Sequence, residues 1–323
     1  MGVLFCGSVP QSFEVGANGL AASTSSNYGA SSFAPEVIRF IEEQLGIGRF
    51  APQGELYASL RWRSRGTAVS SGREPMMLRA GEQAWVGVRS MGGTNGQLQV
   101  ARWDGSAWEE LGSFAFASDE SYAWHLEVAT GAAGAIRFWL NDIQIFDWSG
   151  DLSGMPELDN IRIAPIQNTS SQSNQSGMSE IIVADHETRR MRLQSLPLTS
   201  DGAAFEWSGS AGDISGASIS DTSFAASDTA GQRLLAQHGG LGTGDTLDVR
   251  AVVISSRIRR QGGPEEVAGL ARVDGVDHQT DAVALTAEFE VQQFILEANP
   301  ATGVLWERGA VDATEIGLVS VAP

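Results

Sequence analysis

Four histidines, one cysteine and 39 acidic residues set what chemistry this 323-residue chain can carry. No pair among His125, His186, His238 and His278 stands at the H-x-x-x-H spacing that presets two imidazoles for zinc. Cys6 is alone, which rules out an intrachain disulfide and multi-thiolate metal sites. Asp185-His186-Glu187 has the residue types of a proton relay. Neighbours on an extended strand point to opposite faces, however, so the three cannot relay to one another, and a solvated turn is expected. Glu288-Phe289-Glu290 would put two carboxylates on one strand face, as hydrolysis with a pair ~5 Å apart requires. It lacks a middle carboxylate and reads better as an exposed charged face. Gly239–Asp245 is glycine-rich but has no Lys-Ser/Thr and precedes a strand, so it reads as a turn rather than a phosphate loop. No G-x-S-x-G elbow occurs. Aromatic side chains are the remaining means of recognition, since sugar rings stack on indole faces. Trp85, Trp103, Trp108 and Trp148 lie near turns and Trp139 on the non-core face of a hairpin. Trp139, Trp103 and Trp108 are the candidates for such contact, with core or interface packing as the competing role.

Charge narrows the partners. The net charge is −18, and all 21 basic residues are arginine. Nucleic acid, which needs a basic footprint, is not an expected partner, and anionic membrane surfaces are disfavoured. Apolar runs fall well short of the ~20 residues of a membrane-spanning helix. The Met1–Cys6 stretch has no basic residues, too short an apolar run for a signal peptide, and no myristoylation pattern. The expectation is a protein made and assembled inside a cell.

The elements that must position these residues follow a period of two. Glu55–Arg63 alternates, with Leu56, Ala58, Leu60 and Trp62 on one face. Gln97–Trp103 gives Leu98 and Val100 to one face. Asp104–Ala107 then makes a turn that sets Trp103 opposite Trp108. Ile136–Leu140 and Ile143–Phe146 flank Asn141-Asp142, a two-residue turn tolerant of positive φ. That register pairs Leu140 with Ile143 and Phe138 with Ile145, leaving Trp139 and Gln144 on the other face. Further strands are expected at 160–163, 180–184, 204–207, 246–254 and 282–297. One helix is expected over Pro35–Leu45, with Val37, Ile41 and Leu45 in a stripe and Gly46 as its stop; a strand over Val37–Ile41 competes. Residues 21–32, 166–179 and 208–228 read as loops. Asn168 and Asn174 begin N-x-Ser patterns that read as chance. Such patterning over this length predicts an all-β chain of two antiparallel β-sandwich modules, 1–187 and 188–323.

Residues 11–187 resemble a laminin-G-like, concanavalin-like sandwich. Trp124-His125-Leu126-Glu127-Val128 resembles its Trp-led strand. Ile136–Phe146 resembles the adjoining hairpin, and Glu180–Ala184 with Asp185 its final strand. Residues 188–323 resemble the C-terminal part of virion proteins of tailed bacteriophages. The resemblance lies in Arg192–Pro197 before Phe205–Ser208, in Val249–Arg257, and most specifically in Asn299-Pro300-Ala301-Thr302-Gly303-Val304-Leu305-Trp306 followed by Val311–Leu318.

The resemblances imply a non-enzymatic virion structural protein of tail or fibre type, assembled in the host cytoplasm. Other virion proteins, further copies of itself and host-surface polysaccharide would be its partners. The alternatives are a head decoration or head fibre protein without a receptor role, and a tail-spike depolymerase. The E-x-D-x-E strand motif of concanavalin-type glycosidases is absent from 11–187. Such folds also bind calcium, and Asp142, Asp147, Asp151, Asp159 and Asn160 lie near turns. Calcium needs 6–8 oxygens and no compact D-x-D-x-D loop supplies them, so no cofactor is expected. At the chain end Trp306, Glu307 and Asp312 are the candidate assembly contacts, with the apolar anchors expected inward and the charges outward.

Overall fold

The computed structural model describes residues 2–8, 12–15, 21–23, 30, 37–40, 45–65, 70–91, 96–166, 176–215, 223–241 and 248–322. They form two units, Met1–Gln194 and Ser195–Pro323. The expected boundary at 187/188 falls inside the first unit. Asn168, Asn174 and most of the glycine-rich 239–245 stretch lie outside the described residues. Among the described residues no helix is long and apolar enough to cross a membrane.

The first unit contains β1 (Val3–Gly7), β2 (Glu14–Val15), β3 (Ala21–Ser23), β4 (Val37–Arg39), β5 (Gly46–Gln53), β6 (Glu55–Arg63), β7 (Met76–Ala80) and β8 (Gln83–Ser90). It continues with β9 (Gln97–Trp103), β10 (Trp108–Ala115), β11 (Ser121–Ala129), β12 (Gly131–Leu140), β13 (Ile143–Leu152), β14 (Leu158–Ile163) and β15 (Gly177–Ala184). One sheet runs β13-β12-β11-β6-β15-β4-β3, with β1 also on β15; the other runs β10-β9-β8-β7-β14-β5-β2. All pairings are antiparallel, and the inner faces of the two sheets share one core. This is an antiparallel β-sandwich. Leu56, Ala58, Leu60 and Trp62 sit in that core as their alternation predicts, with Trp124, Leu126, Val128, Ile136 and Phe138 beside them. Its centre is aromatic: Phe138 stacks on Phe114 at 5.0 Å, and Trp62 lies 5.1 Å from Trp124.

Three sequence expectations need correction here. The helix over 35–45 is replaced by the competing strand: Val37–Arg39 is β4, paired with β15 and β3. Pairing on both sides outweighs a helical stripe of three residues. In the β12–β13 hairpin, Asn141 and Asp142 take φ of 50° and 65°, and Leu140 faces Ile143. A register shift between Phe138 and Trp139 then sets Phe138 opposite Phe146 rather than Ile145. One extra residue in a bulge lets Phe138 and Phe146 stack with centroids 6.0 Å apart. The third concerns 166–179, read as loop, whose last residues enter β15, a strand buried along its whole length.

The second unit contains β16 (Leu198–Phe205), α1 (Ala211–Ile214), β17 (Arg233–His238), β18 (Val252–Ile258), β19 (Glu266–Val273), β20 (Val276–Ala284), β21 (Glu290–Leu296), α2 (Arg308–Asp312) and β22 (Glu315–Val321). A five-stranded sheet, β16-β17-β22-β19-β20, is faced by the ribbon β18-β21. Ile254 and Phe294 from the ribbon pack on Val267 and Leu318 of the sheet. Phe294 rests on Gly269, where any Cβ would come within 2.5 Å of it. The expected strands 246–254 and 282–297 are displaced or split. The first appears as Val252–Ile258, and the second breaks between Ala284 and Glu290.

Candidate functional site

The outer face of the β6–β11–β12–β13 sheet brings together residues far apart in sequence. Cross-strand pairing puts Tyr57, Glu127, Arg137 and Asp147 in one row, and Ser59, His125, Trp139 and Gln144 in the next. In the first row Arg137 binds Glu127 and donates to Asp147 at 3.1 Å. Glu127 raises the basicity of the Arg137 guanidinium. Tyr57 donates to Glu55 at 3.3 Å; partial burial and the nearby Glu127 and Glu55 carboxylates push its phenol up to about 12.

The chain leaving β15 crosses this face. Asp185 accepts from the Gly2 amide at 2.5 Å, and Arg192 makes a forked pair with Glu180 at 2.5 and 2.9 Å. Glu180 is buried, holds a left-handed φ of 50°, and is also reached by Arg61 at 3.3 Å. Arg189 lies 4.6 Å over the Trp139 ring and binds Glu187, which its hydrogen bond holds below the usual carboxylate range. Thr188 is buried beneath the crossing. Trp139 is therefore only 8 % exposed. Asp185-His186-Glu187 is the bend that starts this strap, with Asp185 and Glu187 exposed as expected; because it is a bend and not an extended strand, neighbours do meet, and His186 Nδ1 lies 2.9 Å from the Asp185 carboxylate.

Between strap and sheet lies a cavity of about 110 Å³ lined by Tyr57, His125, Glu127, Trp139, Glu187, Thr188 and Arg189. His125 is 6 % exposed, and neither ring nitrogen has a hydrogen-bond partner. The carboxylate of Asp142 stands 3.9 Å from Nε2. Burial, opposed by Asp142 and reinforced by Arg189 and Arg61, lowers the imidazole to about 4, so it is neutral at pH 7. Of this site the sequence singled out only Trp139, because the segment that roofs it, 187–189, lies about fifty residues or more along the chain from every residue of its floor. Trp124, His125 and Leu126 of β11 are all buried, so both faces of that strand are covered.

Trp103 and Trp108 are brought together as their turn predicts. They are direct cross-strand partners with ring centroids 5.6 Å apart at 66°. The Asp104 carboxylate caps the turn through the amides of Ser106 and Ala107. Both indoles are half-buried, and Arg89 lies 4.5 Å over the Trp108 ring. Trp148 packs against the core edge and carries Arg102 at 4.3 Å.

The turn carboxylates do not converge. Asp147 pairs with Arg137, Asp151 accepts from the Ser153 amide, and Asp159 accepts from the Gly81 amide. Among the described residues no group of three or more His, Cys, Asp or Glu is placed to hold a metal. Glu288 lies in the bend before β21, so it does not share a strand face with Glu290. Burial pushes the Cys6 thiol up to about 12, which leaves it un-ionised.

At the chain end Asn299 caps its own turn, accepting from the Ala301 amide at 2.9 Å, with Gly303 at φ 72°. Trp306 is buried beside Val273 and Val311 and donates to the Leu296 carbonyl at 2.8 Å. Val304 and Leu305 are 62 % and 50 % exposed, and Glu307 is exposed at the start of α2. Asp312 is exposed but accepts from the Leu241 amide at 2.6 Å, which ties it to its own module.

No family model and no curated protein matches the chain. Solved structures similar to it include the cellulose-induced protein Cip1, at 12% identity over 54% of this chain and 91% of that one, with a TM-score of 0.40. The T. cruzi calreticulin globular domain is 13% identical over 58% and 89%, also at 0.40. The alginate lyase Aly36B is 10% identical over 49% and 82%, at 0.37.

Proposed function

We propose that the chain is a non-enzymatic structural component of a tailed-phage virion, of tail or fibre type. The second module would be held by neighbouring virion proteins or further copies of the chain, and the first module would meet host-surface polysaccharide. The carrying observation is the closing turn. It docks on its own module through buried Trp306 while holding Val304, Leu305 and Glu307 outward. Two adjacent exposed apolar side chains on an ordered turn suit a protein contact better than solvent. The resemblance of 299–318 to phage virion proteins supports the same reading.

The carboxylates of the first module favour binding over hydrolysis. Glu127, Glu180 and Glu187 are each held by arginine. The Arg189 hydrogen bond keeps the Glu187 carboxyl below the usual carboxylate range, which makes it a poor general acid. The Trp103–Trp108 pair supplies an aromatic surface for sugar rings.

The reading is tested by incorporation. Glu307→Arg and Leu305→Asp proteins should fold and yet be missing from purified particles; normal uptake of both would remove this edge as the attachment surface. For the first module, the double substitution Trp103→Ala/Trp108→Ala should abolish retention on host polysaccharide. Retention at the wild-type level would exclude that surface.

A further inference from the structure

The outer face of the β10-β9-β8-β7-β14-β5-β2 sheet carries positive charge that its own carboxylates do not balance. Alternation along β7, β8 and β14 sends Met76, Leu78, Val86, Val88, Ile161 and Ile163 to the core. Arg79, Arg89 and Arg162 therefore fall on the outer face. Arg79 pairs with Glu82, and Arg162 with Glu74. Arg89 has a share in that same Glu74 carboxylate, 3.5 Å from its Nε. Two guanidinium groups thus flank one carboxylate, and burial lowers the basicity of both. Arginine stays protonated all the same, so one positive charge is left over.

That charge is open to a ligand. The Arg89 side chain is 18 % exposed; its Nε is buried, while Nη1 and Nη2 reach the surface. Among the described residues the guanidinium makes no hydrogen bond. What holds it is the Trp108 ring, 4.5 Å away. Gly87 and Ala101 form the row between Arg89 and Trp108, and their lack of bulk lets the guanidinium lie down on the indole. Stacking fixes the plane of the fork and leaves its outer N–H groups without an acceptor.

The neighbours select the ligand. A planar fork matches a carboxylate. Arg89 occupies a face of Trp108, and Trp103, half-buried and 5.6 Å from Trp108, carries no cation among the described residues. Arg89 and Trp103 both border Trp108, so a short stretch of polysaccharide can meet the two together. Gln99 and Ser113 continue the row of Arg89 and add an amide and a hydroxyl suited to sugar hydroxyls. Glu110, exposed in the Ala101 row, makes no ion pair with Arg89 among the described residues. The net charge of −18 opposes a polyanion. Exposed charges more than about 8 Å away are largely screened at physiological salt, however. The first unit also holds 14 of the 21 arginines, so the excess of acid is concentrated in the second.

We infer that Arg89 recognises the carboxylate of a uronate, so that the polysaccharide met at Trp103 and Trp108 is an acidic one. The inference rests on the reading of the first module as a glycan-recognition module and names the class of glycan.

The full-length protein would be passed over immobilised polygalacturonate, alginate and hyaluronate, each beside the same polymer with its carboxylates reduced to alcohols. At least one acidic polymer should retain the protein, and its reduced form should do so about tenfold or more weakly, as loss of a charged hydrogen-bonded pair implies. This comparison uses wild-type protein alone and needs no variant to fold. Arg89→Met keeps a long side chain on Trp108 and removes the charge; its retention on the acidic polymer should fall by a similar factor, with tryptophan fluorescence unchanged. Equal retention on an acidic polymer and its reduced form overturns the proposal, as does undiminished retention of a folded Arg89→Met protein. Equal, Arg89-dependent retention on dextran sulfate or polyglutamate would mark a general anion contact and overturn the assignment to a uronate. If reduced polymers are held as well as acidic ones and Trp103→Ala/Trp108→Ala abolishes both, the acidic class fails while glycan recognition stands. If no polymer is retained, acidic or reduced, both fail.

Discussion

Replacing Phe138 by alanine tests the packing of the first module at its centre. Phe138 is fully buried, and its ring meets Phe114 at 5.0 Å, Phe146 at 6.0 Å and Trp124 at 6.5 Å. A buried Phe→Ala change costs about 3–5 kcal/mol through lost transfer energy and the cavity left behind. Each well-placed aromatic pair adds about 0.5–1.5 kcal/mol beyond area, and three are lost here, so the upper end, about 4–5 kcal/mol, is expected. Urea unfolding of the full chain followed by tryptophan fluorescence reads this module, because seven of the nine tryptophans lie in it. The midpoint of its transition should fall with little change in slope. A cost below about 1 kcal/mol would show that the ring is not in the core and that the β12 register is wrong by one residue.

Three further outcomes are expected. Because His125 is neutral when folded, with its basicity lowered to about 4, the unfolded state binds more protons between about pH 6.5 and 4. Wild-type stability relative to the His125→Phe protein should therefore fall by about 3 kcal/mol as pH drops through that window, and a flat difference would contradict the buried neutral ring. Gly317→Ala would put a Cβ 1.7 Å from the Leu234 carbonyl oxygen, so β17 and β22 must part. Roughly 2–4 kcal/mol should be lost, seen as faster amide exchange within 233–238 and 315–321 while β6 and β11 stay protected. Incubation with host polysaccharide should release no reducing ends; release by wild type that disappears in Glu288→Gln or Glu290→Gln would establish hydrolysis.

Local pattern made much of the first module legible. The alternation of Leu56, Ala58, Leu60 and Trp62 marks the inner face, Asn141-Asp142 marks a primed turn, and Asp104–Ala107 sets the Trp103–Trp108 pair. Asn299-Pro300 and Gly303 likewise mark the final turn. What was not legible depends on distant partners. Val37 begins a helical stripe with Ile41 and Leu45, and only pairing with β15 on one side and β3 on the other makes Val37–Arg39 a strand. The bulge after Phe138 arises from ring stacking that no turn rule encodes. The cover over His125 was not legible because its roof, Glu187–Arg189, is fixed by Arg192 binding Glu180 and by Arg189 lying on Trp139. Side-chain alternation says which face a residue takes and nothing about which segment covers that face.

Whether the chain is a virion component is tested most directly by purifying the particles made by the replicon that encodes it and locating the chain on them by mass spectrometry and labelled electron microscopy. The expected result is a fixed number of copies at a defined position on the tail or a fibre, with the first module outermost. Particles that lack the chain, with the protein recovered only in the particle-free fraction, would contradict the assignment.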